Sequence, residues 1–241
     1  MKKWWMIVLA LALLLVGCDT DGKKEEMSGD RLEKETTASD TCEDSLNDDG
    51  EDNEMVPKKP VIYFYPTEDT VCSVRVNING KLTCTYPEHG EAGWQNFVAK
   101  PDGTLVFPNG GAYYCLYWEG IADFEPDFST GFCVKGSDTA AFLHGVLPQM
   151  GLNAREANEF IIYWLPQMQG NEYNLISFQA NAYTNSASLE ITPKPDSLLR
   201  VFMAWRALDE SVEIEPQSFN GFARNGFTVV EWGGCEIYLN E

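Results

Sequence analysis

The pattern of hydrophobic and polar positions changes style along the chain. Residues 4–17 form an uncharged, mostly apolar run behind Lys2 and Lys3. Residues 19–56 are polar almost throughout; their large apolar side chains are Met27, Leu32, Leu46, Met55 and Val56. From Pro57 onward apolar positions return with the periods of folded structure. Residues 61–65 are a β-branched and aromatic run stopped by Pro66. Cys72, Val74, Val76 and Ile78 alternate with polar residues, the period of a half-buried strand. Asn79-Gly80 predicts a hairpin turn, with residues 81–86 as the returning strand. Further strands are predicted at 94–100, 104–107, 112–118 and 131–135, with Pro101-Asp102-Gly103 and Asn109-Gly110-Gly111 as turns.

After residue 136 helical spacing enters. Ser137 or Asp138 is placed to cap a helix that runs to Leu147 and stops at Pro148. Asn153 with Glu156 three residues later has the form of a capping box. Ala157, Phe160, Ile161 and Trp164 then fit one helix face, although residues 160–165 read equally as a buried strand. Strands are predicted at 173–178, 189–192, 198–205 and 227–232. The expected class is α+β, mainly β: an antiparallel meander or sandwich-like N-terminal half with a smaller α+β C-terminal half. The expected organisation is a signal segment 1–17, a segment 18–56, and one module 57–241 of one or two lobes, 57–136 and 137–241.

Charge sharpens this division. The chain carries 37 acidic and 17 basic residues, a net charge of −20. Residues 19–56 hold 15 acidic and 4 basic residues, and are far more charge-dense than residues 57–241, with 22 and 11. So polar a segment cannot bury enough surface to offset its ordering entropy and is expected to be a disordered tether. As a flexible coil it spans on the order of 30–40 Å, more with self-repulsion. The acidic balance excludes nucleic acid as a partner class.

Residues 4–17 are short for a spanning helix, which needs about 20 apolar residues, but have the length of a signal-peptide core. The run ends in Leu15-Val16-Gly17-Cys18, which resembles the lipobox of bacterial lipoproteins. That resemblance implies cleavage before Cys18 and acylation of the cysteine, with palmitate among the expected chains. Two or more chains anchor durably where one is marginal. The expected location is the extracytoplasmic face of a bacterial membrane, with the membrane as a partner through the N-terminal lipid.

The segments KPVIYFYP, KPDGTL, CLYWEG, NEFIIYWLPQM, ITPKPDSLLRVFM and GFTVVEWGG, spread over residues 59–232, resemble an uncharacterised family of bacterial, often lipid-anchored, secreted proteins. The resemblance implies a recurring module and brings no activity, substrate or catalytic residue.

Candidate chemistry is sparse. Besides Cys18, and Cys42 in the tether, five cysteines remain: Cys72, Cys84, Cys115, Cys133 and Cys235. Export permits disulfides, but five is odd, and a simple turn at Asn79-Gly80 puts Cys72 and Cys84 on opposite faces. His144 is expected to be a packed or half-exposed structural histidine on a helix and His89 to be solvated in a loop; a Cys133–His144 nucleophile pair has no flanking signature. No GxSxG, Walker A, HExxH or dinucleotide motif is present. Glu119 and Glu231 each adjoin an indole, at Trp118 and Trp232. They are the candidate catalytic acids, although on a strand the tryptophan points in and the glutamate out. Glu119, Asp123, Glu125 and Asp127, with Phe124 and Phe128 to pin the loop, form a candidate Ca²⁺ site. No other cofactor is expected. The function these features favour is an extracytoplasmic, lipid-anchored binding or structural module of the cell envelope, its partner an unidentified protein or glycan. The alternative is an extracytoplasmic hydrolase acting on cell-wall or environmental glycan.

Overall fold

The structure, a computed structural model, describes residues 58–179 and 181–238. The signal segment, Cys18, Cys42 and the acidic tether therefore lie outside the described residues. No helix among the described residues is long and apolar enough to cross a membrane.

The strands run β1 Lys58–Tyr65, β2 Thr70–Ile78, β3 Gly80–Tyr86, β4 Trp94–Ala99, β5 Leu105–Val106, β6 Ala112–Tyr113, β7 Leu116–Ala122 and β8 Thr130–Lys135. Helices α1 Thr139–Met150 and α2 Ala154–Met168 follow, then β9 Tyr173–Gln179, the short α3 Asn181–Ser186, β10 Ala187–Thr192, β11 Ser197–Leu208, β12 Glu215–Pro216 and β13 Thr228–Glu236. The class is α+β and mainly β, as the hydrophobic pattern indicates. One sheet has eight strands in the order β12-β8-β9-β11-β13-β1-β7-β3; the other has five, in the order β10-β2-β4-β5-β6. Strands from both halves of the sequence meet in both sheets: β1 pairs with β13 and β2 with β10. The expected boundary at 136/137 thus divides neither sheet.

Two apolar cores explain the layering. Ile62, Phe64, Trp118, Phe202 and Val229 of the large sheet pack with Cys72, Val74, Trp94 and Phe97 of the small one. On the opposite face Tyr63, Trp205, Val230 and Trp232 pack with Leu143 and Leu147 of α1 and Phe160 and Trp164 of α2. The large sheet is covered on both faces. This is why β13 is buried at eight consecutive positions instead of alternating.

The hairpin expected at Asn79-Gly80 does not form. β2 pairs with β10 and β4, whereas β3 pairs with β7 in the other sheet. Asn79 is a crossover between sheets: its N–H donates to the Ser186 carbonyl at 2.8 Å, and its own carbonyl accepts from Asp123 N–H at 3.0 Å. Gly80 is required because it sits at φ 145°, where a Cβ would lie 1.9 Å from the Ile121 carbonyl oxygen. Cys72 and Cys84 therefore belong to different sheets rather than to two faces of one hairpin.

Helix α1 does not stop before Pro148 but includes it and continues to Met150. A proline in the last turn forfeits a single backbone bond. Gly151, left-handed at φ 106°, then closes the helix through its N–H to the Leu147 and Pro148 carbonyls. The capping box at α2 is present: Asn153 Oδ1 accepts from Glu156 N–H at 3.0 Å, and Glu156 Oε2 accepts from Asn153 N–H at 2.8 Å. Residues 160–165 are helical. Phe160, Trp164 and Met168 are fully buried four residues apart, while Ile162 is 72% exposed, as one turn of a surface helix demands.

Candidate functional site

Five tyrosines converge where β1, β3, β6, β7 and α2 meet. Tyr86 ends β3, Tyr113 and Tyr114 lead from β6 into β7, Tyr117 lies on β7 and Tyr163 on α2. With Lys59, Val61, Cys115 and Glu119 they line a cleft of about 600 Å³. Pairing fixes the layout: Tyr117 is the register partner of Val61 on one side and of Tyr86 on the other. Strand alternation then directs Tyr117 and Glu119 into the cleft and Trp118 into the opposite core.

Lys59 enters the cleft through a β-bulge. The β1–β13 register shifts between Lys58 and Val61, and Lys59 sits at φ 58°. For a non-glycine residue this left-handed conformation costs energy and is held by its surroundings. Here the Lys59 N–H donates to Glu119 Oε1 at 3.1 Å, and the Lys59 ammonium rests 5.1 Å from the centre of the Tyr163 ring. Bulges of this kind re-aim a side chain.

Ring contacts link the walls. Tyr86 and Tyr113 meet edge to face at 5.5 Å, and Tyr114 lies between Tyr63, 6.4 Å away, and the Arg155 guanidinium, at 4.8 Å. Arg155 is itself paired with Glu159 at 3.0 Å. Burial, then the hydrogen bond to Glu119, holds the Tyr117 hydroxyl well above its ordinary range. Burial, then the charge of Glu119, raises Tyr163 as well. Burial and Glu159 push the Cys115 thiol up to about 11. Tyr117, Tyr163 and Cys115 therefore keep their protons at neutral pH and can donate hydrogen bonds.

Glu231 does not join this cleft. It is fully buried, on the face of the large sheet that meets the small sheet. Trp118 Nε1 donates to its Oε1 at 3.0 Å, and the Tyr183 hydroxyl and Arg200 Nε donate to its Oε2 at 3.0 and 2.6 Å. Glu119 faces the other side. The two candidate acids are thus separated by the sheet and cannot flank one bond. Glu231 points inward rather than outward because both faces of β13 are covered.

Asp123, Glu125 and Asp127 are exposed on the loop after β7, whereas Glu119 is committed to Lys59. Asp127 turns back on its own loop, Oδ1 accepting from Ser129 N–H at 2.7 Å. Among the described residues no group of three or more His, Cys, Asp or Glu gathers as metal ligands, and the Ca²⁺ candidates are not brought together. Phe124 does pin the loop, edge-on to Phe202 at 5.7 Å.

His89 is half-buried rather than solvated. It meets Trp94 edge to face at 4.7 Å, and burial pulls its pKa below the usual histidine value. His144 is exposed on α1. Cys133 lines a second, more open cavity of about 740 Å³ along β8 and residues 212–216, where its Sγ accepts from Val212 N–H at 3.4 Å.

No family model matches the chain, and no solved structure matches it. A 63-residue stretch, 26% of this chain, is 44% identical to an "Uncharacterized protein in bglA 3'region" of Butyrivibrio fibrisolvens. The matched stretch spans 65% of that relative's length.

Proposed function

We propose that the protein is a lipid-anchored, extracytoplasmic binding module of the cell envelope whose tyrosine cleft takes a saccharide. The observation that carries this reading is the cleft itself. Its flat aromatic faces suit the C–H faces of a sugar ring, and its phenols, Lys59 and Glu119 supply convergent polar groups that fix orientation. The position of Glu119 and Glu231 on opposite faces of the sheet supports binding over paired-carboxylate hydrolysis, which needs two acids about 5–10 Å apart across one bond. The lipobox-like Cys18 supports the anchor.

Two experiments test this. Titration of the full-length protein with a panel of cell-wall and environmental oligosaccharides is expected to show binding without turnover; hydrolysis of any of them overturns the non-catalytic reading. Labelled palmitate is expected to enter the wild-type protein in bacterial cells and not Cys18→Ala. Equal labelling of the two rules out the anchor.

A further inference from the structure

We infer that the saccharide is acidic, a ring bearing one carboxylate, and that Lys59 is the residue that selects it. This rests on the reading of the tyrosine cleft as a saccharide site.

Lys59 lines the cleft, and Arg155 lies outside it against the Tyr114 ring. Arg155 is neutralised by Glu159 at 3.0 Å. Lys59 has no such partner: among the described residues no carboxylate lies within 4.0 Å of its ammonium, whose contact is the face of Tyr163. A chain of net charge −20 has many carboxylates with which to pair a lysine. This lysine is instead placed by a bulge at φ 58°, held at its own N–H by Glu119, and pointed into an aromatic cleft. A partly desolvated ammonium on a ring face binds an anion more strongly than one in open water.

The charge count sets the ligand's valence. Lys59 is one unpaired cation in a lining that also carries the Glu119 carboxylate, so the cleft offsets at most one ligand charge, and only beside Lys59. A phosphate dianion brings close to two, and a chain of net charge −20 disfavours the excess. A uronic acid matches on both counts, with an apolar ring face for the tyrosines and a single carboxylate for Lys59. Glu119 shares the cleft, where its Oε1 accepts from the Lys59 N–H. It accepts from sugar hydroxyls and keeps the acid group on the Lys59 side.

The test compares uronate-containing oligosaccharides with their methyl esters, which keep the ring and lose the charge. Titration of the full-length protein is expected to show the acid bound roughly ten- to a hundredfold more tightly than its ester. Lys59→Gln, matched to wild type in melting, is expected to lose that preference, and Lys59→Arg to keep it. Equal binding of acid and ester, or a preference that survives in Lys59→Gln, overturns the assignment while leaving a saccharide site in place. Binding of neither form of any panel member, together with failure of neutral oligosaccharides, overturns the saccharide reading as well. If Lys59→Gln does not fold, salt dependence of the wild type decides. A preference that shrinks toward unity at 0.5 M salt supports the ammonium as its source; one unaffected by salt refutes it.

Discussion

Arg200 and Glu231 stand opposite each other across the parallel β11–β13 ladder, and Arg200 Nε donates to Glu231 Oε2 at 2.6 Å in the interior between the two sheets. The pair is enclosed: the Arg200 guanidinium lies 4.6 Å over the Tyr183 ring, and its Nη1 also donates to the Ala187 carbonyl at the start of β10. One charge cluster therefore ties the large sheet to the edge of the small one. Removing a single partner strands a buried charge. Arg200→Met is expected to cost about 3–5 kcal/mol. Arg200→Met with Glu231→Gln is expected to recover part of that loss, because the stranded charge is gone. Urea unfolding of the wild type, both single variants and the double variant measures the coupling; strict additivity would show that the pair acts as two separate side chains.

Asn153 and Glu156 make a second graded expectation. Asn153→Ala removes one acceptor at the start of α2 and should cost about 1 kcal/mol. Glu156 does more, since it is fully buried and also pairs with Arg224, which reaches over from the loop before β13. Glu156→Ala is expected to cost about 2–3 kcal/mol, with Arg224 left on the Gly151 carbonyl and the Tyr65 ring. Denaturant midpoints of the two variants settle the order; a larger loss in Asn153→Ala would contradict it.

The buried thiols give the protein an alkaline weakness. Burial pushes Cys72 up to about 11 from its ordinary 9.0. The folded state keeps this proton while the unfolded chain releases it, so the contribution is present below pH 9 and is lost as pH rises toward 11. Melting temperature is expected to fall across that window, and to fall less in Cys72→Ala. At pH 8 a thiol reagent should label the exposed Cys84 well before Cys72 or Cys115. Mass spectrometry of partially labelled protein reads the order directly.

Tyr86 separates binding from folding. It is 64% exposed at the cleft rim and touches Tyr113 edge-on. Tyr86→Ala is expected to weaken saccharide binding roughly three- to tenfold while changing stability by under about 1 kcal/mol. A large loss of stability would mark the tyrosine as a packing residue.

The capping box at Asn153 was legible because it is local: three residues and two backbone groups decide it. Asn79-Gly80 does not form the hairpin its residues favour because strand pairing is not local. The dipeptide permits a tight turn, but the Ser186 carbonyl and the Asp123 N–H, far away in sequence, claim the groups of Asn79. Glu231 was expected outside because strand alternation presumes one wet face, and a strand covered on both sides hides its polar residues as well. Glu119 was found as a candidate from its indole neighbour. Its partner Lys59 comes from a bulge, and Tyr163, which carries the Lys59 ammonium, from a helix; neither spacing nor periodicity announces a bulge. The cluster of tyrosines at 113, 114 and 117 was the available signal.

Lys59 is also the second residue of β1, which lies in the large sheet between β13 and β7, antiparallel to both. A pull on the N-terminus along β1 would load two ladders together in shear rather than peel one bond at a time. The first bond past Lys58 to feel that load is the one between the Lys59 N–H and Glu119. Tension along β1 and a ligand in the cleft would meet at the same residue.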